Sequence, residues 1–296
     1  MGQPDVLVIG GGPAGLACAT ALAKAGMRQV LVSEREAEAG GVPRHAGHWG
    51  FGWESHRRLM RGPAYAAQLL AEARAAGVTV ATGTTVARIE APGRVLLHDA
   101  SGLREVVAGR VVLATGAREG TRAERLIGGV RHPQILTTGT FQQMVYLKGL
   151  VPFRRPLILG AEWVSYSAIL TCRHAGIRPV ALLDEGQGGT DAAPRWFAPV
   201  ARLAFAIPTL RRISDPVILG RDRVEGVRFT RDGRQEELAC DGVVISGRFR
   251  PEASLIAGLA CPPGVILAGN VTGPLKTAGG AAMAGRAAAR QILGDK

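Results

Sequence analysis

The chain has 296 residues, of which 47% are hydrophobic, so it can bury the core of one large domain or of two intertwined ones. Its apolar runs are shorter than the ~18 to 20 residues of a membrane-spanning helix, which excludes an integral membrane span. The formal net charge of +12 is spread along the chain and only 5% of the residues are aromatic, which argues against nucleic-acid binding. The first strand-like run begins at Asp5 and leaves no room for a signal peptide, so we expect a cytoplasmic protein.

The first segment predicts a strand, a glycine-rich turn, a helix and a second strand. Apolar residues dominate the two strand-like runs DVLVIG and QVLVSE. The turn between them has the spacing G-x-G-x-x-G at Gly10, Gly12 and Gly15. Gly10 permits the tight turn, Gly12 lets the backbone approach a pyrophosphate, and Gly15 lets the helix pack on the strand.

An acidic residue ends the second strand of this unit. Glu34 stands where a carboxylate can accept both ribose hydroxyls of an adenosine. After the loop of residues 40–50, the run GPAYAAQLLAEARAAG predicts a helix, and the residues that follow predict an antiparallel meander. The meander leads into a buried strand that ends in LATGA. The plan is therefore a nucleotide-binding sheet, a meander, and a return to the sheet.

The pattern of strand, turn, helix and strand starts again near Pro152. RPLILGAEWVSYSAILTCRHAGIRPVALLDE has nearly the length of the first unit, so this divergent repeat predicts a second nucleotide-binding unit. The second unit also ends in a meander, in which Arg231-Asp232-Gly233 predicts a hairpin turn. The chain then passes through the buried strand GVILAGN into an alanine-rich helix.

These elements predict an α/β fold with two nested Rossmann-like nucleotide-binding domains, each with three layers and a small antiparallel β-meander. Because the second unit closes before the last buried strand, we expect the end of the chain to complete the first domain. The expected boundaries are 1–150 for the first part of the first domain, 151–250 for the inserted domain, and 251–296 for the return segment.

The four cysteines of the chain are widely separated. Cys18, Cys172, Cys240 and Cys261 include no close pair, which argues against a zinc ribbon, an iron–sulfur cluster and a thioredoxin-like dithiol. We expect all four to be small buried residues.

Three motifs in this order resemble those of a known family. VIGGGPAGLACATALAKAG with Glu34, then LATGA, then GVILAGNV resemble the two-dinucleotide-binding-domain flavoproteins of the pyridine nucleotide-disulfide oxidoreductase type, over almost the whole chain. The resemblance implies FAD in the first unit and a nicotinamide nucleotide in the second. A narrower similarity joins the chain to the FAD subunits of hydrogen cyanide synthase, opine oxidase and dye-linked proline or hydroxyproline dehydrogenases. It rests on PRHAGHWGFG, LTTGTFQQMVY and GAEWVSYSAILTCRHAGIRPVAL.

The resemblance implies an FAD site formed by all three motifs and the loop of residues 40–50. Asn270 stands where the family usually has an aspartate, and its amide can both donate and accept hydrogen bonds. The last helix begins near Thr277, and its positive end would face the flavin N1–C2=O edge or would serve only for packing. The implied FAD-binding residues are Gly10, Gly12, Pro13, Ala14, Gly15, Glu34, Arg35, Gly41, Val42, Arg44, Val86, Ala114, Thr115, Gly116, Gly269, Asn270, Thr277 and Ala278.

The second unit departs from the dinucleotide-binding pattern. Gly160 is kept, but Glu162 and Ser165 replace the second and third glycines, and a carboxylate at position 162 would lie where a pyrophosphate is expected. Asp184 ends the next strand and could still meet a ribose. Three interpretations stay open for Gly160, Glu162 and Asp184: an NAD(P) site, a site for a non-catalytic adenine nucleotide, or a scaffold without a ligand.

The loop of residues 40–50 contains the candidate catalytic residues. In the disulfide-reductase branch of the family this loop carries two cysteines, whereas Pro43 and His48 stand at those positions here, which excludes dithiol chemistry. Arg44 is a candidate donor to anionic oxygens, and His45 and His48 are candidate proton carriers or simply structural donors. Two histidines are too few for a metal site.

Two tryptophans follow in the same segment. We expect Trp49 and Trp53 to be packing residues in preference to ring neighbours of the flavin.

The favoured function is that of an FAD-dependent oxidoreductase, as the flavin subunit of a heteromeric amino-acid or amine dehydrogenase. Such a subunit would pass electrons between a partner's redox centre, a second flavin or an iron–sulfur protein, and an acceptor. Two alternatives are a self-sufficient NAD(P)H-dependent flavin reductase and a flavin-bearing structural subunit without turnover.

Overall fold

The computed structural model describes residues 3–91, 93–186, 207–257 and 263–294. The chain forms two compact units, and the first is built from two separate segments, Met1–Arg118 and Arg250–Lys296. The second unit is the continuous segment Glu119–Phe249. The end of the chain therefore completes the first unit, as the order of motifs predicts.

The first segment contains most strands of the first unit, and its central strands β1 and β2 are buried along their whole length, as in parallel sheets covered on both faces. A short 3-10 helix, Val42–His45, follows the second strand. The elements in chain order are β1 Val6–Ile9, α1 Pro13–Lys24, β2 Val30–Ser33, β3 Trp49–Phe51, α2 Trp53–His56, β4 Met60–Arg61, α3 Gly62–Ala75, β5 Thr79–Ala81, β6 Thr85–Ala91, β7 Arg94–Asp99, β8 Gly102–Val107, β9 Arg110–Leu113 and β10 Ala117–Arg118.

The second unit repeats the arrangement of strand, glycine turn and helix. Its elements are β11 Gly128–Gly129, β12 Ile135–Thr137, α4 Thr138–Lys148, β13 Leu157–Leu159, α5 Trp163–His174, β14 Ala181–Asp184, β15 Thr209–Arg211, β16 Ile213–Leu219, β17 Gly226–Arg231, β18 Arg234–Ala239 and β19 Val243–Ile245. The hairpin turn expected at Arg231-Asp232-Gly233 joins β17 to β18, with Arg231 opposite Arg234.

The return segment adds β20 Arg250–Pro251, β21 Val265–Leu267 and the last helix, α6 Ala278–Gly294. Two 3-10 helices, Ser254–Ile256 and Gly269–Thr272, lie before and after β21.

Each unit has a five-stranded parallel sheet. The order in the first unit is β21-β9-β1-β2-β5, and the order in the second is β12-β19-β13-β14-β15. The antiparallel meander β6-β7-β8 belongs to the first unit, and the strands β11-β16-β17-β18 form the corresponding sheet of the second. The predicted class, an α/β protein with two nested Rossmann-like units and meanders, is confirmed.

The last helix packs against the first. A Cβ added at Gly285 would lie 2.0 Å from the carbonyl oxygen of Ala14, so α6 and α1 approach to backbone distance. This contact and the parallel pairing of β21 with β9, with Val265 opposite Val111, fix the return segment to the first unit.

The expected first boundary near residue 150 is wrong. Residues 119–150 belong to the second unit because β12 pairs with β19, with Ile135 opposite Val243. Helix α4 also buries Phe141 in a cluster with Ile158 of β13, so its apolar face requires the second sheet.

Three of the four cysteines, Cys18, Cys172 and Cys240, are buried and free, as expected of small core residues. Cys261 lies outside the described residues. Within the described ranges, no helix is both long and apolar enough to cross a membrane.

Candidate functional site

The geometry of a parallel sheet gathers the three sequence motifs of the first unit at one edge. β1, β2, β9 and β21 are parallel neighbours, so their carboxyl ends meet on the same side of the sheet. The glycine turn follows β1, Glu34 follows β2, LATGA ends β9, and GVILAGNV contains β21. The chain order reverses between β1 and β9, and ligands of open α/β sheets bind at this switch point.

Two glycines of the turn are required by close backbone contacts. Gly10 has φ of +107°, and a Cβ there would lie 2.6 Å from the carbonyl oxygen of Ala114. A Cβ at Gly15 would lie 1.9 Å from the carbonyl oxygen of Gly10. Gly10 thus joins the turn to the LATGA motif, and Gly15 lets α1 begin directly on the strand.

Gly12 is different, because its lack of a side chain leaves space open. It is the N-cap of α1, and a Cβ there would have only the Cα of Gly41 within 4 Å, at 3.9 Å. The helix continues with Pro13 and has no side-chain cap. The first N–H groups of α1 and the helix dipole therefore face a space bounded by glycine backbone, which is the arrangement that binds phosphate groups.

The carboxylate of Glu34 is buried and connects the end of β2 to the glycine turn. One of its oxygens accepts the N–H of Gly11 at 2.8 Å, and the other accepts the N–H of Glu36 at 2.8 Å. Each carboxylate oxygen has a second lone pair, so both can still accept a hydroxyl group. The side chain is held in place before any ligand binds.

The neighbouring predicted residues differ in exposure. Arg35 is exposed, whereas Val86 is buried in β6 and pairs with Leu97 of the meander. The hydroxyl of Ser33 donates to the carbonyl oxygen of Thr84 at 2.8 Å, which fixes the approach to β6. The side chain of Val86 is packed in a core cluster with Ile9 and Leu97.

Arg44 is bound to this chain's own carboxylates. Its guanidinium donates to Glu36 and to Glu38, both at 2.8 Å, and only 13% of the side chain is exposed. The expected direct donation to a cofactor would have to use its other N–H groups. In the structure Arg44 ties the short helix Val42–His45 to the end of β2, while Val42 itself is exposed.

The two histidines of the loop have different surroundings. His45 is buried, with 4% of its surface exposed. The Nδ1 atom of His48 lies 2.8 Å from the carbonyl oxygen of Trp49, and its ring centroid lies 5.2 Å from that of Phe51. Among the described residues no group of three or more His, Cys, Asp or Glu side chains is placed to hold a metal ion.

The two tryptophans, expected to be packing residues, both lie largely at the surface. Trp49 is 57% exposed and Trp53 is 58% exposed. Trp49 instead carries the guanidinium of Arg61 over its ring, 5.4 Å from the centroid, a cation–π contact at the surface.

Glu54 is a site residue that the sequence motifs do not predict. Its carboxylate accepts the hydroxyl hydrogen of Thr277, and a Cβ at Gly279 would lie 2.5 Å from its Oε2 atom. The Thr277 hydroxyl in turn accepts the N–H of Gly280 at 3.0 Å, so Thr277 caps α6. The positive end of α6, expected to face a flavin or to pack, carries an acidic side chain of α2.

Tyr65 joins the same region from α3. Its hydroxyl lies 3.0 Å from the hydroxyl of Ser55 and donates to the carbonyl oxygen of Ala278 at 3.4 Å. Burial raises the pKa of the Tyr65 phenol, while the hydrogen bond with Ser55 lowers it by a smaller amount. The phenol is therefore held neutral between α2, α3 and the start of α6.

Asn270 is explained by the loop that it closes. Its Oδ1 atom accepts the N–H of Lys276 at 2.7 Å, and its Nδ2 atom donates to the carbonyl oxygen of Lys276 at 3.1 Å. An aspartate could make only the first of these bonds, because it has no donor when ionised.

Further contacts tie the late motifs to α1 and to the return segment. A Cβ at Gly269 would lie 2.5 Å from the Cβ of Ala14, so the GVILAGNV motif touches the first turn of α1. The hydroxyl of Thr115 donates to the carbonyl oxygen of Glu252 at 2.6 Å, and Gly116 accepts the N–H of Glu252 at 3.0 Å. The predicted FAD-binding residues of all three motifs therefore lie together.

The second unit places Gly160, Glu162 and Asp184 in the corresponding positions at the carboxyl ends of β13 and β14. Gly160 has φ of +127°, and a Cβ there would lie 2.2 Å from the carbonyl oxygen of Ser246, which reproduces the role of Gly10.

A parallel five-stranded sheet with a G-x-G-x-x-G turn defines a Rossmann-type nucleotide-binding fold, and the second unit repeats the sheet with only the first glycine of the motif. The family profile described as pyridine nucleotide-disulphide oxidoreductase matches residues 4–188. The chain therefore belongs to this family of flavoprotein oxidoreductases, whose members bind FAD and NAD(P).

Two relatives are subunits of larger oxidases. One subunit of the opine oxidase of Rhizobium meliloti (strain 1021) is 27% identical over 199 residues, which are 67% of this chain and 42% of that protein. The alpha subunit of sarcosine oxidase from the same organism is 28% identical over 274 residues, which are 88% of this chain and 25% of that protein. The chain thus spans less than half of the length of either relative.

Solved structures share the fold over the whole chain. Thioredoxin reductase of T. acidophilum has a TM-score of 0.79 at 18% identity and covers 98% of each chain. L-proline dehydrogenase from P. horikoshii has a TM-score of 0.72 at 18% identity, covering 99% of this chain and 55% of that one.

Proposed function

We propose that the chain is the FAD-binding subunit of a heteromeric oxidoreductase that acts on the CH–NH group of an amino acid or amine. The observation that carries the proposal is the uncapped N-terminus of α1, where Gly12 faces the backbone of Gly41 beside the buried carboxylate of Glu34. This combination matches a ligand that has both a pyrophosphate and a ribose.

The residues present fit FAD. The first N–H groups of α1, beyond Gly12, would bind the pyrophosphate, and Glu34 would accept the ribose hydroxyls. LATGA and the Gly269–Thr272 turn would border the remainder of the cofactor. When bound, FAD would supply the electron acceptor for substrate oxidation and would pass the electrons on to another acceptor.

The names of the relatives support an amine or amino-acid substrate, because opine oxidase and sarcosine oxidase both act on compounds of this class. The same names support a partner, since both relatives are subunits. The partner's redox centre would be a second flavin or an iron–sulfur cluster.

The cysteines support an electron route without thiols. Pro43 and His48 stand in the loop where the disulfide-reductase branch has cysteines. Burial raises the pKa of the Cys18 and Cys172 thiols to about 12, which keeps them protonated and unreactive near neutral pH. Electrons would therefore leave through a partner or an acceptor.

In this proposal His48 carries a proton to or from the substrate. His45 either holds the loop in place or assists His48 in proton transfer. An imidazole can both accept and donate a proton, which suits the removal of a proton from an amine. Arg44 would act by holding the short helix Val42–His45 in place through Glu36 and Glu38.

The test is anaerobic spectroscopy of the purified chain, alone and together with any protein that co-purifies with it. We expect a bound-flavin spectrum that bleaches on addition of sarcosine, an opine or proline, with turnover that requires the partner. A colourless chain that FAD does not reconstitute would contradict the proposal. Rapid bleaching by NADH, with no effect of any amine, would favour the flavin-reductase alternative.

A further inference from the structure

The glycine turns of the two units can be compared position by position, because each follows the central strand of a parallel sheet, β1 or β13. Gly10 donates its N–H to Ser33 at 2.8 Å, and Gly160 donates to Leu183 at 2.8 Å, so Glu34 and Asp184 occupy equivalent places. On the same alignment Glu162 stands where the first unit has Gly12.

In the second unit, the space that Gly12 leaves open is occupied by a carboxylate. Glu162 is the N-cap of α5, and the Ser165 hydroxyl accepts the N–H of Glu162 at 3.2 Å, as in a capping box. One oxygen of Glu162 also accepts the N–H of Arg248 at 2.8 Å. The residue is 6% exposed, and Gly247 makes room for it, since a Cβ there would lie 2.4 Å from the Glu162 carboxyl carbon.

Glu162 therefore places a carboxylate at the start of α5, where a pyrophosphate would have to lie. A helix N-terminus stabilises one anionic group, and here that group belongs to the chain. Ser165, at the place of the third glycine, is fully buried and donates its hydroxyl to that of Ser246 at 2.9 Å. Glu162 and Ser165, which replace the second and third glycines, are thus both buried and hydrogen-bonded within the unit.

The switch point of the second sheet lies between β13 and β19, and a guanidinium covers it. Nη1 of Arg125 donates to the carbonyl oxygens of Leu159, at 3.2 Å, and Ser246, at 2.9 Å. Nη2 is ion-paired with Glu185, and the Arg125 side chain is 1% exposed. The carboxyl ends of both strands therefore already have a donor.

At the end of β14, Asp184 keeps the local contact that Glu34 makes, and the residue beside it is ion-paired. Asp184 accepts the N–H of Gly186 at 2.9 Å, as Glu34 accepts that of Glu36. The adjacent Glu185 pairs with Arg125 and, at 3.0 Å, with Arg248. The phosphate position, the strand crevice and the acidic end of β14 are all linked through residues of the chain itself.

We infer that the second unit is a self-occupied dinucleotide fold, in which the carboxylate of Glu162 takes the place of the pyrophosphate and excludes NAD(P) and other adenine nucleotides. The nicotinamide nucleotide that the family implies for this unit does not fit the residues present. The electron donor must then reach the first unit directly, as an oxidisable substrate or a protein partner.

Isothermal titration calorimetry on the full chain with its FAD tests the inference, using NADH, NADPH and ADP as probes. We expect no binding of any probe below about 1 mM to the natural chain. Glu162→Gly should bind NADPH or ADP at least about tenfold more tightly. Asp222→Asn removes one exposed charge from the same unit and should behave as the natural chain does.

Two outcomes would overturn the inference. One is saturable binding of NADH, NADPH or ADP to the natural chain at micromolar concentrations. The other is a Glu162→Gly variant that remains folded and still binds nothing. If Glu162→Gly does not fold, Glu162→Gln replaces it, because the amide keeps an acceptor for the helix while it removes the charge.

Calorimetry reads binding whether or not the protein oxidises an amine. A chain that binds no nucleotide and oxidises no amine would therefore contradict the proposed function and leave this inference intact.

Discussion

The carboxylate of Glu54 accepts the hydroxyl hydrogen of Thr277, so an acidic residue of α2 covers the positive end of the last helix, α6. The contact joins residues separated by 223 positions in the sequence. It also brings α2, which follows the loop of candidate catalytic residues, against the segment that follows Asn270. A ligand that approaches the start of α6 therefore meets a helix dipole whose positive end is already partly neutralised by Glu54.

Replacing Glu54 by glutamine should reduce the free energy of unfolding by about 0.5 kcal/mol, because the favourable charge at the start of α6 is lost. Urea denaturation of the cofactor-free chain measures this change. Glu105→Gln is the control, since Glu105 forms an exposed ion pair with Arg94 on the meander. Salt should weaken the Glu54 effect, and an equal loss in both variants would argue against a helix-dipole contribution.

Gly12→Ala and Gly15→Ala should separate cofactor binding from folding. The Cβ of Gly12→Ala has space in the folded chain, so we expect a loss of at most about 1 kcal/mol of stability and a large loss of FAD retention. Gly15→Ala would place a Cβ 1.9 Å from the carbonyl oxygen of Gly10 and should cost about 3 kcal/mol. FAD content after gel filtration and urea denaturation measure the two effects. Full FAD retention by Gly12→Ala would contradict the assignment of the phosphate site to the start of α1.

Glu34→Gln should weaken FAD retention and the fold together. The amide would turn an N–H donor toward the N–H of either Gly11 or Glu36, at a cost of about 1 to 3 kcal/mol. Asp184→Asn is the matched control, because Asp184 makes the same local bond to Gly186 in the second unit. Unchanged FAD content in Glu34→Gln, or an equal loss in Asp184→Asn, would contradict the ribose assignment.

His48→Ala should slow flavin reduction by the amine substrate by about 100-fold and change the FAD content little, because a proton carrier acts on the reaction step. Arg44→Ala should mainly lower FAD retention, through the loss of its bonds to Glu36 and Glu38. Stopped-flow reduction across a pH series and FAD content are measured for both variants. A pH profile that is identical in the natural chain and in His48→Ala would exclude proton transfer by His48.

The buried thiols should be unreactive in the native state. Burial raises the pKa of the Cys240 thiol to about 11, and Cys18 and Cys172 are higher still. Peptide mapping after treatment with a thiol reagent should therefore find these three residues unlabelled until the chain unfolds. Labelling of Cys18 in the folded chain would contradict its burial.

The same shifts predict a loss of stability in alkali. The folded pKa values exceed the unfolded value of 9.0, so unfolding releases protons above that pH. The stability that these neutral thiols maintain is complete below about pH 9 and falls as the pH rises toward about 12. A Cys172→Ser variant should show a weaker dependence in this range, measured by urea denaturation.

The parallel sheets and the first glycine turn could be predicted because their signals are local. Buried strands such as Val6–Ile9 are continuous apolar runs, and Gly10 and Gly15 have spacings set by one turn of backbone. The domain boundary could not be predicted, because α4 carries an apolar face in its sequence but no indication of which sheet it covers. Only the pairing of β12 with β19 decides this.

The remaining differences concern which polar groups meet. Glu54 looks like an ordinary surface charge in the sequence, and the partners of Arg44, Glu36 and Glu38, are set by the packing of the loop. The exposure of Trp49 has the same origin, because a short edge pair, β3 with β4, leaves its ring outside any core. The sequence indicates that charged side chains will form ion pairs or hydrogen bonds, but it does not identify the partner of each one.

The pairing of β21 with β9 has a consequence for biosynthesis. On the ribosome, residues 3–118 emerge with the outer edge of β9 unpaired and with the face of α1 around Ala14 uncovered. The continuous segment 119–249 then emerges whole and can fold before residues 250–294 arrive to supply β21 and α6. The unit whose translation starts first is therefore the one finished last, and the proposed FAD must enter after residues 250–294 have been made.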